Sequence, residues 1–485
     1  MNRRNMWTDI VISSLRRLVD ASLLLTCAAL PLPLSTAESA VVPTSDEIVL
    51  GMGRHSPAVV RAGDRFAVVH EQGAELPSRI LLRYLEPREA SASDPIEIAA
   101  AGMFPQVAAF PDGSLVVVWA HENLWYARLV DAAGEPSTEA LPLEGLAGIV
   151  QIDAGSQGNW VLVSNGTGLR FNGATQISKE PFVIGNPALD MRLAVLPNDS
   201  FFVTWTEQYS DPECEEDPPH CNFDLSQTYL YGRAFDSDAV AAGEATYVAL
   251  DFHDDEQGKN GHAVAENQTE GFLAAWLDYI ESDYEPPGYL ALRRLDEEGA
   301  PIAATRVLAE VERDATGLHV AMASDQVVIA TSQDVPPNNA DIEIYTTPLE
   351  SGPVEKLSLP SPAKHDFVSG LASGPDGSLL VVWKRTSDQS PVHEIVARPF
   401  FASSAIVCGD ADHNSTLKAA DALRALHAAV GIGYCAAPVC DVNGDGDVLA
   451  SDAALILATA VGIATMLDCP ATGSDIPPPF DPPHW

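Results

Sequence analysis

The sequence predicts a mostly β protein, a seven-bladed β-propeller followed by a small α-helical module with paired calcium loops. Three observations carry this reading. A strand–turn–strand unit ending in Trp recurs through residues 46–406. An Asp/Asn/Gly-rich loop followed by a helix occurs twice, 31 residues apart, between Cys408 and Cys469. Of 485 residues, 46% are hydrophobic, enough for large cores.

The first 37 residues read as an export signal. Arg3, Arg4, Arg16 and Arg17 give a basic start, Ala21 to Leu34 an apolar stretch, and Ser35 and Ala37 the small residues of a cleavage site near Ala37. The apolar stretch is short for a bilayer, and nothing later is long and apolar enough for a membrane helix. Thr26 before Cys27, and the short run ahead of it, count against lipidation of Cys27. Cys214, Cys221, Cys408, Cys435, Cys440 and Cys469 remain after cleavage, an even set that fits three disulfides in an exported chain. Cys214 and Cys221 bracket an acidic, Pro-rich loop and are expected to pair. Without a C-x-x-C, zinc is a weak reading of the other four.

The propeller units follow from about Glu47. The clearest runs from Phe104 to Trp119: an apolar strand, a Pro111-Asp112-Gly113-Ser114 turn, and a second apolar strand ending in Trp. Gly suits the positive φ of such a turn. A third strand, Leu124 to Val130, and a shorter fourth near Thr138 to Leu143 complete it. Leu193–Trp205, Ala263–Trp276 and Gly370–Trp383 repeat the first pair, and weaker copies lie at Pro57–Val69, Val150–Val163 and Leu318–Ile329. Units of roughly 40–65 residues match four-stranded blades. The last unit lacks a fourth strand, and Glu47–Leu50 is expected to supply it and close the ring. Trp119, Trp205, Trp276 and Trp383 hold one place in the unit and read as blade packing rather than sugar stacking. Arg128, Arg233, Arg294 and Arg398 recur in the third strand and read as ties to adjacent turns.

Chemistry in this region is not legible. There is no Gly-x-Ser-x-Gly elbow, no His-Glu-x-x-His helix and no Ser-x-Asp-x-Gly-x-Thr-Trp box. The 68 Asp and Glu are too many for a glycosidase pair to be picked out. The cluster His253, Asp254, Asp255 and His262 reads as a solvated loop. Against 27 Lys and Arg the acids give a net charge of −41, which argues against nucleic acid and anionic membranes and favours solubility and divalent cations.

The C-terminal duplication is the strongest signal. Ca²⁺ takes six to eight oxygens, and loop positions 1, 3, 5, 7 and 12 can wrap it. In the first loop these are Asp410, Asp412, Asn414, the carbonyl of Thr416 and Asp421. In the second they are Asp441, Asn443, Asp445, the carbonyl of Asp447 and Asp452. Position 12 opens a helix, where a carboxylate suits the dipole. Leu417 and Val448, at position 8, are placed to pair the loops. Leu423, Leu426 and Val430 share one helical face, as do Ala454, Leu457 and Val461, and these faces are expected to form the small core. Two loops in register make an Asp/Asn/Gly-rich linker improbable.

The duplication, residues 408–469, resembles a type I dockerin, with Asp rather than Glu at position 12 and no entering helix. The resemblance implies an EF-hand-like module that folds with calcium and docks onto a cohesin-like scaffold domain. It also implies that Ala419, Ala420, Ala450 and Ser451, at positions 10 and 11, lie at the docking face. Ser415 stands where the turn prefers Gly, and Lys418 brings positive charge near the ion, so the second site is expected to be tighter. The four cysteines are additional to the family pattern. Repeat symmetry suggests Cys408–Cys435 and Cys440–Cys469 among three possible connectivities. The Pro-rich tail, 470–485, reads as extended and flexible.

The reading overall is a secreted calcium-binding protein. Its propeller presents a glycan- or protein-binding face, and its C-terminal module tethers it to an extracellular scaffold. One alternative is a secreted carbohydrate-active enzyme, a glycoside hydrolase or lyase of polysaccharide metabolism, working in the propeller mouth. Another is a cell-surface structural protein whose calcium module only rigidifies its end.

Overall fold

The structure, a computed structural model, describes residues 40–469 except 74–76, 88–90, 147, 157, 179, 186–188, 210–226, 253–260, 268–270, 280–287, 312–314, 336–338, 360–364, 375, 387–391, 404–407, 412–416, 431–434, 436, 464–466 and 468. The expected signal segment, the Cys214–Cys221 pair, the cluster at His253 to Asp255 and the Pro-rich tail lie outside the described residues.

Short apolar strands joined by tight turns build a β-propeller around a central channel. Its blades are antiparallel meanders. Leu189–Val195, Phe201–Tyr209, Gln227–Phe235 and Thr246–Phe252 make one. His262–Asn267, Gly271–Tyr279, Gly288–Leu295 and Arg306–Val311 make the next, and Thr316–Ala323, Gln326–Val335, Asn339–Pro348 and Glu355–Leu359 another. A further sheet begins at Gln151–Ala154 and continues through Asn159–Ser164 and Thr167–Asn172.

The seven separate blades expected from the repeats are not what forms. Among the described residues five blades stand as separate sheets, and one seven-stranded sheet spans residues 58–143. The cause is the 14-residue strand Ile96–Ala109. Its first half pairs with Ser78–Leu85 and its second with Leu115–His121, with a register shift between Met103 and Gln106. Phe104, at φ +53°, makes the bend without breaking the strand.

The expected closure is found. Ile48–Gly53 pairs antiparallel with His393–Ser403, Val49 opposite Val396, and Ala40–Pro43 pairs further along the same strand. Arg385 fastens the seam: it donates to Asp366 at 2.9 Å and to Glu47 at 2.8 Å. Asp366 is buried.

Turn chemistry sets the registers. Asp112 accepts from the Ser114 amide at 2.9 Å, and Gly113 sits at φ +83°. Between third and fourth strands an Asp recurs that accepts from amides two and four residues on: Asp131 from Ala133 and Glu135, Asp236 from Asp238 and Val240, Asp296 from Glu298 and Ala300. Trp119, Trp205, Trp276 and Trp383 are all buried between sheets, as blade packing requires. Arg128, Arg233 and Arg398 donate to the carbonyls of Ile98, Gly243 and Ser45, and Arg294 to Glu350.

Beyond the ring, helices α1 (Ala419–Ala429), α2 (Ala437–Cys440) and α3 (Ala450–Ala460) form the C-terminal module. It shares one apolar cluster with the propeller: Val42 and Phe401 pack with Ala411, Ala422, Ala425, Val439, Val442, Ala453 and Ile456.

Candidate functional sites: the C-terminal loops and the central channel

In the second loop the chain folds around its own carboxylates. Asp441 is fully buried and accepts from the amides of Asp445 at 3.1 Å and Gly446 at 2.9 Å. Asn443 Oδ1 accepts from the Asp445 amide at 2.9 Å, and Asp445 Oδ1 from the Asp447 amide at 3.1 Å. Gly446 sits at φ +97°, where a Cβ would be strained. Asp452 is fully buried and joins both ends of the loop. Its Oδ1 accepts from the amides of Val442 and Asn443, and its Oδ2 caps α3 through the Leu449 amide at 2.9 Å. Asp445 and Asp447 are exposed.

The first loop is described only at its ends. Asp410 and Asp421 are buried, and Asp421 caps α1 by accepting from the Lys418 amide at 2.7 Å. Asp412, Asn414 and Thr416 lie outside the described residues. Leu417 and Val448 pack in the same cluster. Ala419, Ala420, Ala450 and Ser451 are exposed. Among the described residues, no three His, Cys, Asp or Glu side chains converge closely enough to hold a metal ion. The loop pattern itself relies on Asn443 and a main-chain carbonyl beside its carboxylates.

Two expectations for this module are corrected. The core faces of the helices are Ala422 and Ala425 on α1 and Ala453 and Ile456 on α3. Leu423, Leu426 and Val430 are exposed by 53%, 39% and 60%, and Leu457 and Val461 by 44% and 64%; Ala454 is exposed too. The reason is helix phase. Asp421 and Asp452 must turn into their loops, and at 100° per residue the positions two, five and nine further on fall on the far side. The disulfides are Cys408–Cys469 and Cys435–Cys440 rather than Cys408–Cys435 and Cys440–Cys469. The first joins the two ends of the module, and the second spans the connection between its halves.

The central channel, about 1340 Å³, is lined by the innermost strands. Asp153 and Glu266 face it. Asp153 accepts from the amides of Val195 and Ala154, both at 2.8 Å. Burial, with the nearby Glu266 charge adding to it, still pushes its pKa up to about 7, and burial raises Glu266 as well. Arg192 also lines the channel and is paired with Asp190 at 2.7 Å. Burial pulls His319 down to about 3 and His262 down to about 4.

At one mouth His55 Nδ1 meets Glu71 Oε1 at 2.6 Å. Glu71 is fully buried and also accepts from the Phe104 amide at 3.0 Å. The exposed Phe104 ring lies 4.0 Å from the His55 ring. Glycine makes this approach possible: a Cβ on Gly53 would come within 2.9 Å of the Glu71 carbonyl oxygen. Sequence reasoning missed these channel residues. They come together from strands far apart in the chain, and the one local sign is Gly51 and Gly53 just ahead of His55.

No protein-family profile matches the chain, and no curated protein resembles it in sequence. Solved structures align with it at low scores. A protein of unknown function from Dyadobacter fermentans is 11% identical, with 75% of this chain and 99% of that one covered and a TM-score of 0.43. The β-propeller domain of the Trilobed protease from Pyrococcus furiosus is 11% identical over 72% and 94%, TM-score 0.44. An α-L-arabinofuranosidase from Lactobacillus brevis is 10% identical over 73% and 92%, TM-score 0.32. Such likeness concerns fold and carries no activity across.

Proposed function

We propose that the chain is a secreted, two-part protein. A C-terminal dockerin-like module binds two calcium ions and docks onto a cohesin-like scaffold domain, while the propeller offers a binding face to a glycan or protein. The observation that carries this reading is the matched pair of exposed apolar faces, Leu423/Leu426/Val430 and Leu457/Val461, on helices whose first-turn Asp is buried in a loop. Large apolar side chains left open on both copies of a duplicated unit mark a surface for a partner.

The donor set fits Ca²⁺. Asp410, Asp421, Asp441 and Asp452 are buried carboxylates within the two loops, and burying such charges is costly without a counter-charge. Asp441, Asn443, Asp445, the Asp447 carbonyl and Asp452 would hold the tighter ion. Asp410, Asp412, Asn414, the Thr416 carbonyl and Asp421 would hold the weaker one. The ion supplies charge neutralisation and loop rigidity. Two disulfides in the module fit an oxidising compartment, and among the described residues no helix is long and apolar enough to cross a membrane.

Calcium titration by calorimetry is expected to show two unequal sites, with the tighter lost in the double variant Asp441→Ala, Asp445→Ala. Unchanged binding in that variant would overturn the loop assignment. A panel of cohesin domains is expected to retain the wild-type protein in calcium and release it in chelator.

Asp153 and Glu266, sharing the channel and both held toward the protonated form, favour a second reading, a glycosidase with its acid in the channel. Turnover of nitrophenyl glycosides that disappears with Asp153→Asn would establish it.

A further inference from the structure

Lys384 is out of place in so acidic a chain. With 68 Asp and Glu against 27 Lys and Arg, cations here readily find carboxylates. Arg385, its neighbour, has two. Lys384 is half-buried on the channel wall, burial lowers its pKa, and among the described residues it meets no carboxylate; its ammonium lies 5.9 Å over the Phe367 ring. Desolvating an ammonium without a counter-ion is unfavourable unless something else supplies the charge.

Strand register shows what stands beside it. Lys384 is opposite Phe367 on one side and Ile395 on the other. His393, two residues before Ile395, therefore shares its face. His393 is opposite Gly53, whose missing side chain lets the Glu71 main chain approach, and His55 follows two residues later. Nδ1 of His393 is buried without a hydrogen-bond partner. Burial first, and then the charges of Lys384 and His55, disfavour protonation of His393. Glu71 holds His55 and the Phe104 amide through Oε1, and its buried Oε2 has no hydrogen-bond partner. The mouth thus presents Lys384, an ammonium that meets no carboxylate among the described residues, beside His55, which Glu71 holds, and the partly exposed ring of Phe104.

We propose that Lys384 and His55, backed by His393, receive the carboxylate of an acidic sugar entering the channel mouth, with the Phe104 ring as its stacking surface. The inference rests on the glycan reading of the propeller and narrows it to uronate-containing chains. The ammonium and an imidazole N–H donate to the carboxylate oxygens, charge-assisted bonds that stay strong in a partly desolvated site.

The test titrates oligomers of galacturonate, glucuronate and mannuronate, and their methyl esters, into the full chain by calorimetry. At least one acid is expected to bind at least tenfold more tightly than its ester. Lys384→Met should remove that preference and Lys384→Arg keep most of it, with thermal melts confirming that both variants fold. An ester that binds as well as its acid overturns the carboxylate receptor while leaving a glycan platform standing. Triglutamate binding as tightly, and as dependently on Lys384, overturns the sugar assignment and moves the site to acidic peptides. Absence of Lys384-dependent binding across the whole acid set overturns the proposal.

Discussion

At the scale of single residues, buried titratable groups set how the protein answers to pH. His262 is fully buried with its pKa drawn down to about 4, so the folded chain refuses a proton that the unfolded chain accepts below about 6.5. Its contribution is complete above pH 6.5 and is lost as pH falls toward 4, by on the order of 3 kcal/mol. His319, lowered to about 3, acts in the same direction. Asp153 opposes them: raised to about 7, it favours the folded state at acid pH and ceases to do so as pH climbs through 7. Thermal midpoints measured from pH 5 to 8 are therefore expected to fall at both ends. In Asp153→Asn the alkaline fall should flatten while the acid fall remains. Asp153 and His319 do not stand out in the sequence, and His262, expected in a solvated loop, is instead buried at the start of the strand His262–Asn267, because burial comes from strands remote in the chain. The acids of the C-terminal loops are legible for the opposite reason: their partners lie within twelve positions of one another.

At the scale of elements, what could be read was local and what could not was phase. The Trp-ended strand pairs, the Asp112-Gly113-Ser114 turn and the recurring Asp of the third-strand turn all declare themselves through adjacent residues. The helices α1 and α3 were also legible, but their inward faces were not. Hydropathy favours the leucines, whereas the buried side goes to alanines because the capping Asp fixes each helix's rotation. Repeat symmetry failed for the cysteines in a related way, since the second half ends beside the start of the first. Two outcomes follow. Leu457→Asp with Val461→Asp is expected to leave the thermal midpoint within about 2 °C, because both side chains are already in water, and to abolish retention on cohesin domains. Peptide mapping of the unreduced protein should find Cys408 linked to Cys469 and Cys435 to Cys440.

At the scale of the whole molecule, the ring depends on a seam between distant parts of the chain. Arg385 holds Asp366 on its own sheet and Glu47 on the incoming strand, and these two acids push its pKa up despite burial. Removing the guanidinium takes the ion-pair partner from the buried Asp366, a loss of about 3–5 kcal/mol for such groups. Arg385→Ala is accordingly expected to lower the denaturant midpoint clearly, and Glu47→Gln much less, because Glu47 is partly exposed. The need for closure was visible in the sequence as a missing fourth strand. The merging of residues 58–143 into one sheet was not, because it turns on the backbone of Phe104.

That seam also orders events in time. A chain made amino end first carries Ile48–Gly53 with no mate until residues 393–397 have followed it, more than three hundred positions later. Throughout that interval a bare strand edge is open to neighbours, the condition under which β proteins clump. Because Val42 and Phe401 also seat the C-terminal module, that later segment lands on the junction it helps to lock. Maturation of the ring and of the C-terminal module would then be a single late step.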